Sequence, residues 1–169
     1  MITLWDFIFN SPPKHILMNY FKYQTAIGIL TICEEAGKIT AISMHHQPET
    51  GDEKETEVMR EAYRQLTEYL NGKRKSFDLP LAAKGTEFQK QVWQALCEIP
   101  YGQTRTYKQI AEAIGNPKSV RAVGMANNRN PLIIVVPCHR VIGSDGKMVG
   151  YAAGVDKKEF LLRLEGSLL

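Results

Sequence analysis

The run Pro137-Cys138-His139-Arg140-Val141 sets a thiol beside a potential base and a permanent cation. A proton acceptor and a positive charge both favour the thiolate, which is the nucleophilic form of cysteine. The preceding Leu132-Ile-Ile-Val-Val136 is apolar and largely β-branched and follows Asn130-Pro131. It predicts a buried, extended segment that delivers Cys138 to an interior edge. Cysteine is also a common core residue, and a thiol in apolar surroundings is inert with a raised pKa. From these residues alone, packing and nucleophilic attack both stay open.

Other residues with chemical potential are easier to place. His45-His46 with His15 do not make a metal set, because adjacent strand residues point to opposite faces. Three cysteines, Cys33, Cys97 and Cys138, form an odd count without a Cys-x-x-Cys pair, so free thiols are expected and no metal or other cofactor. Cys33 and Cys97 read as packing residues. Glu165 sits where the last helix should end, opposing the helix dipole, which points either to a specific partner or to a solvated end.

The elements that must hold these residues fall into two groups. From Asn19 to His46, β-branched and aromatic runs separated by Glu34-Glu35-Ala36-Gly37-Lys38 predict an antiparallel meander of about three strands. From Lys54 to Leu70, Met59, Ala62, Tyr63, Leu66, Tyr69 and Leu70 mark one face of an amphipathic helix covering that sheet. The segment Gly72 to Pro80 joins a breaker, a charge run and a proline, and the domain boundary is placed there. The second half carries capped helices. Thr86-Glu-Phe-Gln89 and Thr106-Tyr-Lys-Gln109 are capping boxes, Asn116-Pro117 is read as the start of a further helix, and Asp156-Lys-Lys-Glu159 opens the last.

The pair of helices around Gly115 has the form of a helix-turn-helix. On the second of them, Ala122, Gly124 and Ala126 accompany a single Arg121. Gly costs about 1 kcal/mol relative to Ala in a helix interior, so close approach is implied, either to a nucleic-acid groove or to the rest of the domain. The fold class is α+β: a small N-terminal α/β domain with an antiparallel sheet, residues 1–80, and a mostly helical, winged-helix-like C-terminal domain, residues 81–169.

Composition narrows the setting. The chain has 169 residues, 44% of them hydrophobic, enough for one good core or two small ones. No stretch approaches the roughly 18 apolar residues of a membrane span, and Asp6 interrupts an N-terminal run without a basic lead, so a cytoplasmic protein is expected, nucleoid-associated in a prokaryote. Residues 1–80 hold 9 basic and 11 acidic side chains, residues 81–169 hold 12 and 7, giving −2 and +5. A positive half suits a polyanion but is modest by itself.

Taken in order, Gly85-Thr-Glu-Phe-Gln-Lys-Gln-Val-Trp93, Ile99-Pro-Tyr-Gly102, Thr106-Tyr107, Arg121-Ala-Val-Gly124, Asn130-Pro131, Pro137-Cys-His-Arg-Val141, Gly150-Tyr151 and Leu162-Arg-Leu-Glu-Gly166 resemble the O6-alkylguanine-DNA alkyltransferases, the methylated-DNA–protein-cysteine methyltransferases. The resemblance spans residues 84–169; residues 1–80 fit the family's variable N-terminal domain by type of structure.

The resemblance implies direct repair of double-stranded DNA. Cys138 would accept an alkyl group once and irreversibly from O6-alkylguanine, with O4-alkylthymine as a further candidate substrate. His139, Glu165 and a water would form the proton relay, Asn130 would organise the turns around the cysteine, and Tyr107 would bond the base and help neutralise the leaving guanine. Arg121 would fill the space of a flipped base. Thr106, Tyr107, Ala122 and Ala126 would meet DNA in the minor groove, and Val141, Tyr151, Ala152 and Ala153 would line the pocket. Ala153 stands where many relatives have glycine, which narrows the wall against bulky adducts. Monomeric action is the simplest expectation. A binding-only relative would lack the acceptor cysteine, a helix-turn-helix regulator leaves Cys138, His139 and Glu165 without purpose, and a thiol hydrolase leaves the helix pair without one.

Overall fold

The computed structural model describes residues 17–45 and 48–168. His15, His46 and the N-terminal run read for a leader lie outside them. The chain forms two compact units, one ending at Lys84 and the other beginning at Gly85.

In the first unit, β1 (Asn19–Thr25), β2 (Gly28–Glu35) and β3 (Lys38–Ser43) form the antiparallel meander, and the short β4 (Asp52–Glu53) joins parallel to β1, in the order β3-β2-β1-β4. Alternation places Leu30 and Ile32 in the core, and a register shift that skips Thr40 brings Ile39 and Ile42 there together; they meet Met59, Ala62, Leu66 and Tyr69 of α1 (Glu57–Leu70). Each such side chain removed from water contributes roughly 1.5–3 kcal/mol. The unit runs past Pro80 because the chain continues along β3: Ile39 donates to the Pro80 carbonyl at 2.8 Å and Ala82 donates back to Ile39 at 2.9 Å.

In the second unit, α2 (Glu87–Cys97) and α3 (Tyr107–Ala113) both open with the reciprocal capping boxes that their sequences prescribe, Thr86 with Gln89 and Thr106 with Gln109. Then come α4 (Val120–Asn128), a single 3-10 turn over Cys138–Arg140, and α5 (Val155–Leu164). Two-residue strands β5 (Arg105–Thr106) and β6 (Val141–Ile142) pair in parallel. That pairing ties the start of α3, hence Tyr107, to the residues directly after the cysteine turn. Trp93, Leu96, Val123, Leu132, Leu161 and Leu162 fill the core. The whole is an α+β chain, and among the described residues no helix is long and apolar enough to cross a membrane.

Three local expectations are corrected. Leu132–Val136 is buried but not extended: Val136 donates to the Leu132 carbonyl at 2.9 Å and Val135 to Ile133 at 2.9 Å, and Ile134 adopts φ 73°. A β-branched apolar run specifies burial, and the tight turn is imposed by Asn130, as shown below. Asn116-Pro117 belongs to a turn closed by Ser119, whose N–H and Oγ both donate to the Asn116 carbonyl at 3.0 and 2.7 Å, so α4 starts at Val120. Gly154, not Asp156, caps α5; its φ of 99° lets the loop turn directly into the helix.

Candidate functional site

Cys138 follows the turn at Ile134 and begins the 3-10 turn, 2% exposed. Asn130 fixes both. Its Oδ1 accepts from Leu132 N at 3.0 Å, while Nδ2 donates to the Val136 carbonyl at 2.8 Å and to Cys138 Sγ at 3.0 Å. One amide therefore closes the loop and supplies a hydrogen bond to the sulfur.

Burial pushes all three thiols up, Cys33 to about 11, Cys97 to about 12 and Cys138 to about 11. What separates Cys138 is a hydrogen-bond donor: Asn130 opposes burial first and the positive charge of Lys158 adds to it, whereas at Cys97 Glu98 adds to the rise before the charge of Arg140 opposes it. At Cys33 the neighbouring Glu35 adds to the rise instead. The resting Cys138 is thus a thiol whose anion has waiting partners.

The cation next in sequence is directed elsewhere. Arg140 grips Glu165, with Nε 2.9 Å from Oε2 and Nη2 2.9 Å from Oε1, and Nη1 donates to the Ile99 carbonyl at 2.7 Å. Glu165 Oε2 also accepts from Gly102 N at 3.2 Å. This explains a carboxylate at the C-terminal cap of α5: its partner is a buried guanidinium, which outweighs the helix dipole.

His139, fully buried, reaches Glu165 Oε1 through Nε2 at 2.9 Å. A carboxylate held ionised by arginine can only accept, so the imidazole proton resides on Nε2 and Nδ1 is the basic nitrogen. Burial lowers the His139 pKa below its usual 6.5, against the pull of Glu165. At neutral pH His139 is an oriented, neutral base.

Lys158 is the member that sequence reading missed. It is fully buried, donating from Nζ to the carbonyls of Val141 at 2.5 Å and Val149 at 3.0 Å, and desolvation lowers its pKa to about 8. The available signal was a lysine in register with Leu161 and Leu162 on the apolar face of α5. Tyr107 completes the arrangement: its hydroxyl donates to the same Val149 carbonyl at 2.9 Å, and Lys158 Nζ lies 6.0 Å from its ring centre. Burial, then the nearby Cys138, raise the Tyr107 pKa. Gly150, at φ 67°, approaches so closely that an added Cβ would lie 3.1 Å from the Tyr107 hydroxyl.

Among the remaining residues singled out by sequence, Val141 is fully buried below Lys158, Tyr151 stands edge-on to His139 with ring centres 6.5 Å apart, Ala153 is buried and Ala152 is exposed. Thr106 serves as the α3 cap. On α4, Arg121 and Ala122 face outward. Ala126 does not: it is 3% exposed, and its carbonyl accepts from Trp93 Nε1 at 2.8 Å, so it is corrected from a DNA contact to a packing residue. A Cβ on Gly124 would meet only the Tyr107 ring, at an ordinary 3.9 Å, so tight internal packing does not explain that glycine.

Comparison with known proteins shows the family to which the chain belongs. Residues 87–167 match the DNA-binding domain of 6-O-methylguanine DNA methyltransferase, and residues 18–83 match its ribonuclease-like domain. The constitutive methylated-DNA–protein-cysteine methyltransferase of Bacillus subtilis is 48% identical over 158 residues, 88% of this chain and 96% of that protein. The Methanosarcina barkeri methylated-DNA–protein-cysteine methyltransferase is 70% identical over 106 residues, 63% of this chain and 67% of the relative. Mycobacterium tuberculosis OGT in complex with DNA aligns at a TM-score of 0.83 with 43% identity, covering 88% of this chain and 93% of that one.

Proposed function

Because the chain belongs to the 6-O-methylguanine DNA methyltransferase family, we propose that it reverses DNA alkylation directly, moving the alkyl group of O6-alkylguanine onto Cys138 Sγ. The observation that carries this is a buried thiol with a bound amide donor and a lysine charge, next to a neutral histidine oriented by an arginine-clamped carboxylate.

The chemistry follows from those groups. Displacement at an sp³ carbon needs a soft nucleophile and a leaving group that departs close to neutral. A water between Sγ and His139 Nδ1 relays the thiol proton to the imidazole, and Glu165 steadies the resulting cation. The sulfur lone pair forms the S–C bond as the C–O6 bond breaks, and the released electron pair stays on the guanine. Tyr107 exchanges its Val149 acceptor for the base and donates a hydrogen bond that stabilises the negative charge left on the guanine, which the His139 cation balances. The product is a thioether without a leaving group, so each molecule acts once.

O6 lies inside the duplex stack, so the base must be flipped out, and Arg121 on the outward face of α4 occupies the vacated space. Binding occurs on double-stranded DNA from the minor-groove side, by a monomer, in the cytoplasm. Val141, Tyr151 and Ala153 border the receiving pocket; Ala152 lies on its outer rim.

Mass spectrometry after incubation with O6-methylguanine duplex tests the proposal. A single methyl addition mapping to Cys138 and absent from Cys138→Ser is the expected result. Tight binding without that addition, or repeated turnover by substoichiometric protein, overturns it.

A further inference from the structure

The outward face of α4 carries one side chain that does not fit a smooth groove-binding surface. Arg121, Ala122, Met125 and Asn128 are exposed at helical spacing, with the exposed cap Arg129 completing the stripe, while Val123, Ala126 and Asn127 point inward. Met125 is 58% exposed. Packing cannot be its purpose, since the inner face of the helix is already filled. The charge of the segment favours a polyanion over an apolar protein partner: Arg121 and Arg129 lie one turn to either side of Met125, and from Thr104 to Asn130 there are five basic side chains, Arg105, Lys108, Lys118, Arg121 and Arg129, against the single acid Glu112. A lone thioether between two arginines on the same helix face matches a polyanion that also offers an apolar slot.

Stacked base pairs are such a slot. Minor-groove proteins insert unbranched or bulky apolar side chains, methionine among them, between base steps and bend the duplex in doing so. Methionine suits the task because it is flexible and polarisable against aromatic faces. Met125 lies one turn from Arg121, about 6 Å along the helix. That distance spans roughly two base pairs at 3.4 Å per step.

We propose that Met125 is a second wedge, entering a minor-groove base step about two pairs from the flipped guanine. Arg121 then holds the vacated stack while Met125 opens the groove for a helix that would otherwise be held out by its own bulk. The inference rests on the DNA-repair reading above, and it deepens it by naming a residue that positions the duplex without touching the reacting atoms.

The test compares wild type, Met125→Ala and Met125→Leu on a methylated duplex carrying 2-aminopurine two pairs to either side of the lesion. Wild type should raise aminopurine fluorescence on one side, reporting unstacking there. Met125→Ala should abolish that rise and weaken duplex binding by about tenfold. Its rate at subsaturating duplex should fall in proportion, while its rate with free O6-methylguanine base stays within twofold of wild type. Met125→Leu should restore both signals, and thermal stability should match in all three. Unchanged affinity and fluorescence in Met125→Ala overturn the wedge. A wild-type protein that unstacks and binds the duplex without methylating Cys138 overturns the transfer reading and leaves the wedge standing.

Discussion

Arg140 and Glu165 meet as a fork on a fork, two parallel contacts of 2.9 Å between side chains that are almost wholly withdrawn from water. The pair stands behind His139 and fixes both the charge of the carboxylate and the tautomer of the ring. Removing one partner strands the other. Arg140→Leu should therefore cost about 3–5 kcal/mol, measured by urea unfolding, because an ionised carboxylate is left buried without its counter-charge. A loss below 1 kcal/mol would mean that water already solvates the pair.

Asn130→Ala removes three bonds from one amide: to Leu132 N, to the Val136 carbonyl and to Sγ. We expect about 1–3 kcal/mol of destabilisation. The thiol pKa should rise further above about 11, read from thiolate absorbance, and alkyl transfer should slow by more than tenfold. Asn130→Asp would keep the acceptor for Leu132 but set an anion against the sulfur, and should be slower still.

The pH profile of transfer has a worked sign. His139 must be neutral to act as base, so the rate should climb as pH rises through its depressed pKa, below 6.5, and level off by neutrality. Lys158 must be charged, so the rate should fall again above about 8. Lys158→Met should lower the plateau and erase the alkaline fall. Linkage adds an independent readout. The folded Lys158 pKa of about 8 lies below its usual 10.5, so the unfolded chain binds the extra proton between them and stability rises with pH in that window. Cys138, raised from 9.0 to about 11, contributes the opposite slope between those values. Lys158→Met should remove the first contribution and, by taking a positive charge away from the thiol, extend the second to higher pH, so that stability falls more steeply between pH 7 and 10 than in wild type, as chemical denaturation at those two values resolves.

Ala153 is buried beside the pocket tyrosine, Tyr151. If its methyl narrows the wall, Ala153→Gly should speed transfer from O6-benzylguanine by about tenfold relative to O6-methylguanine, the order expected for one methyl group in a close-packed site. Equal acceleration of both substrates, or none, would place the restriction elsewhere.

Much of this architecture is legible in the sequence where the determinant is local. Thr86 with Gln89 and Thr106 with Gln109 are three residues apart, and both boxes form. The meander between Asn19 and Ser43 follows from alternation and a polar turn. Legibility fails where the partner is distant in the chain. Arg140 looks like the neighbour that activates Cys138, yet it is spent on Glu165, 25 residues away, and the active cation is Lys158, 20 residues beyond the thiol. Leu132–Val136 departs from the extended path for another reason: apolarity reports where a segment lies, while its backbone path is set by the amide of Asn130. The outward turn of Ala122 and inward turn of Ala126, four residues apart on one helix, follow from where the edge of the packed face falls, which composition alone does not locate.

The dense packing around Cys138 has an outcome for the fate of the molecule. A methyl group on a sulfur 2% exposed and bonded to Asn130 is an extra carbon that, once the guanine has left, must share the site with the Asn130 amide and the turn it holds. Overpacking of that size costs about 1–3 kcal/mol. The strained Ile134 turn stands directly upstream to yield first. The methylated protein should melt several degrees below the fresh one and be cut sooner by a nonspecific protease. Spent and unspent copies would then differ in lifetime, so that a cell's supply of this protein records recent exposure to alkylating agents through its rate of clearance.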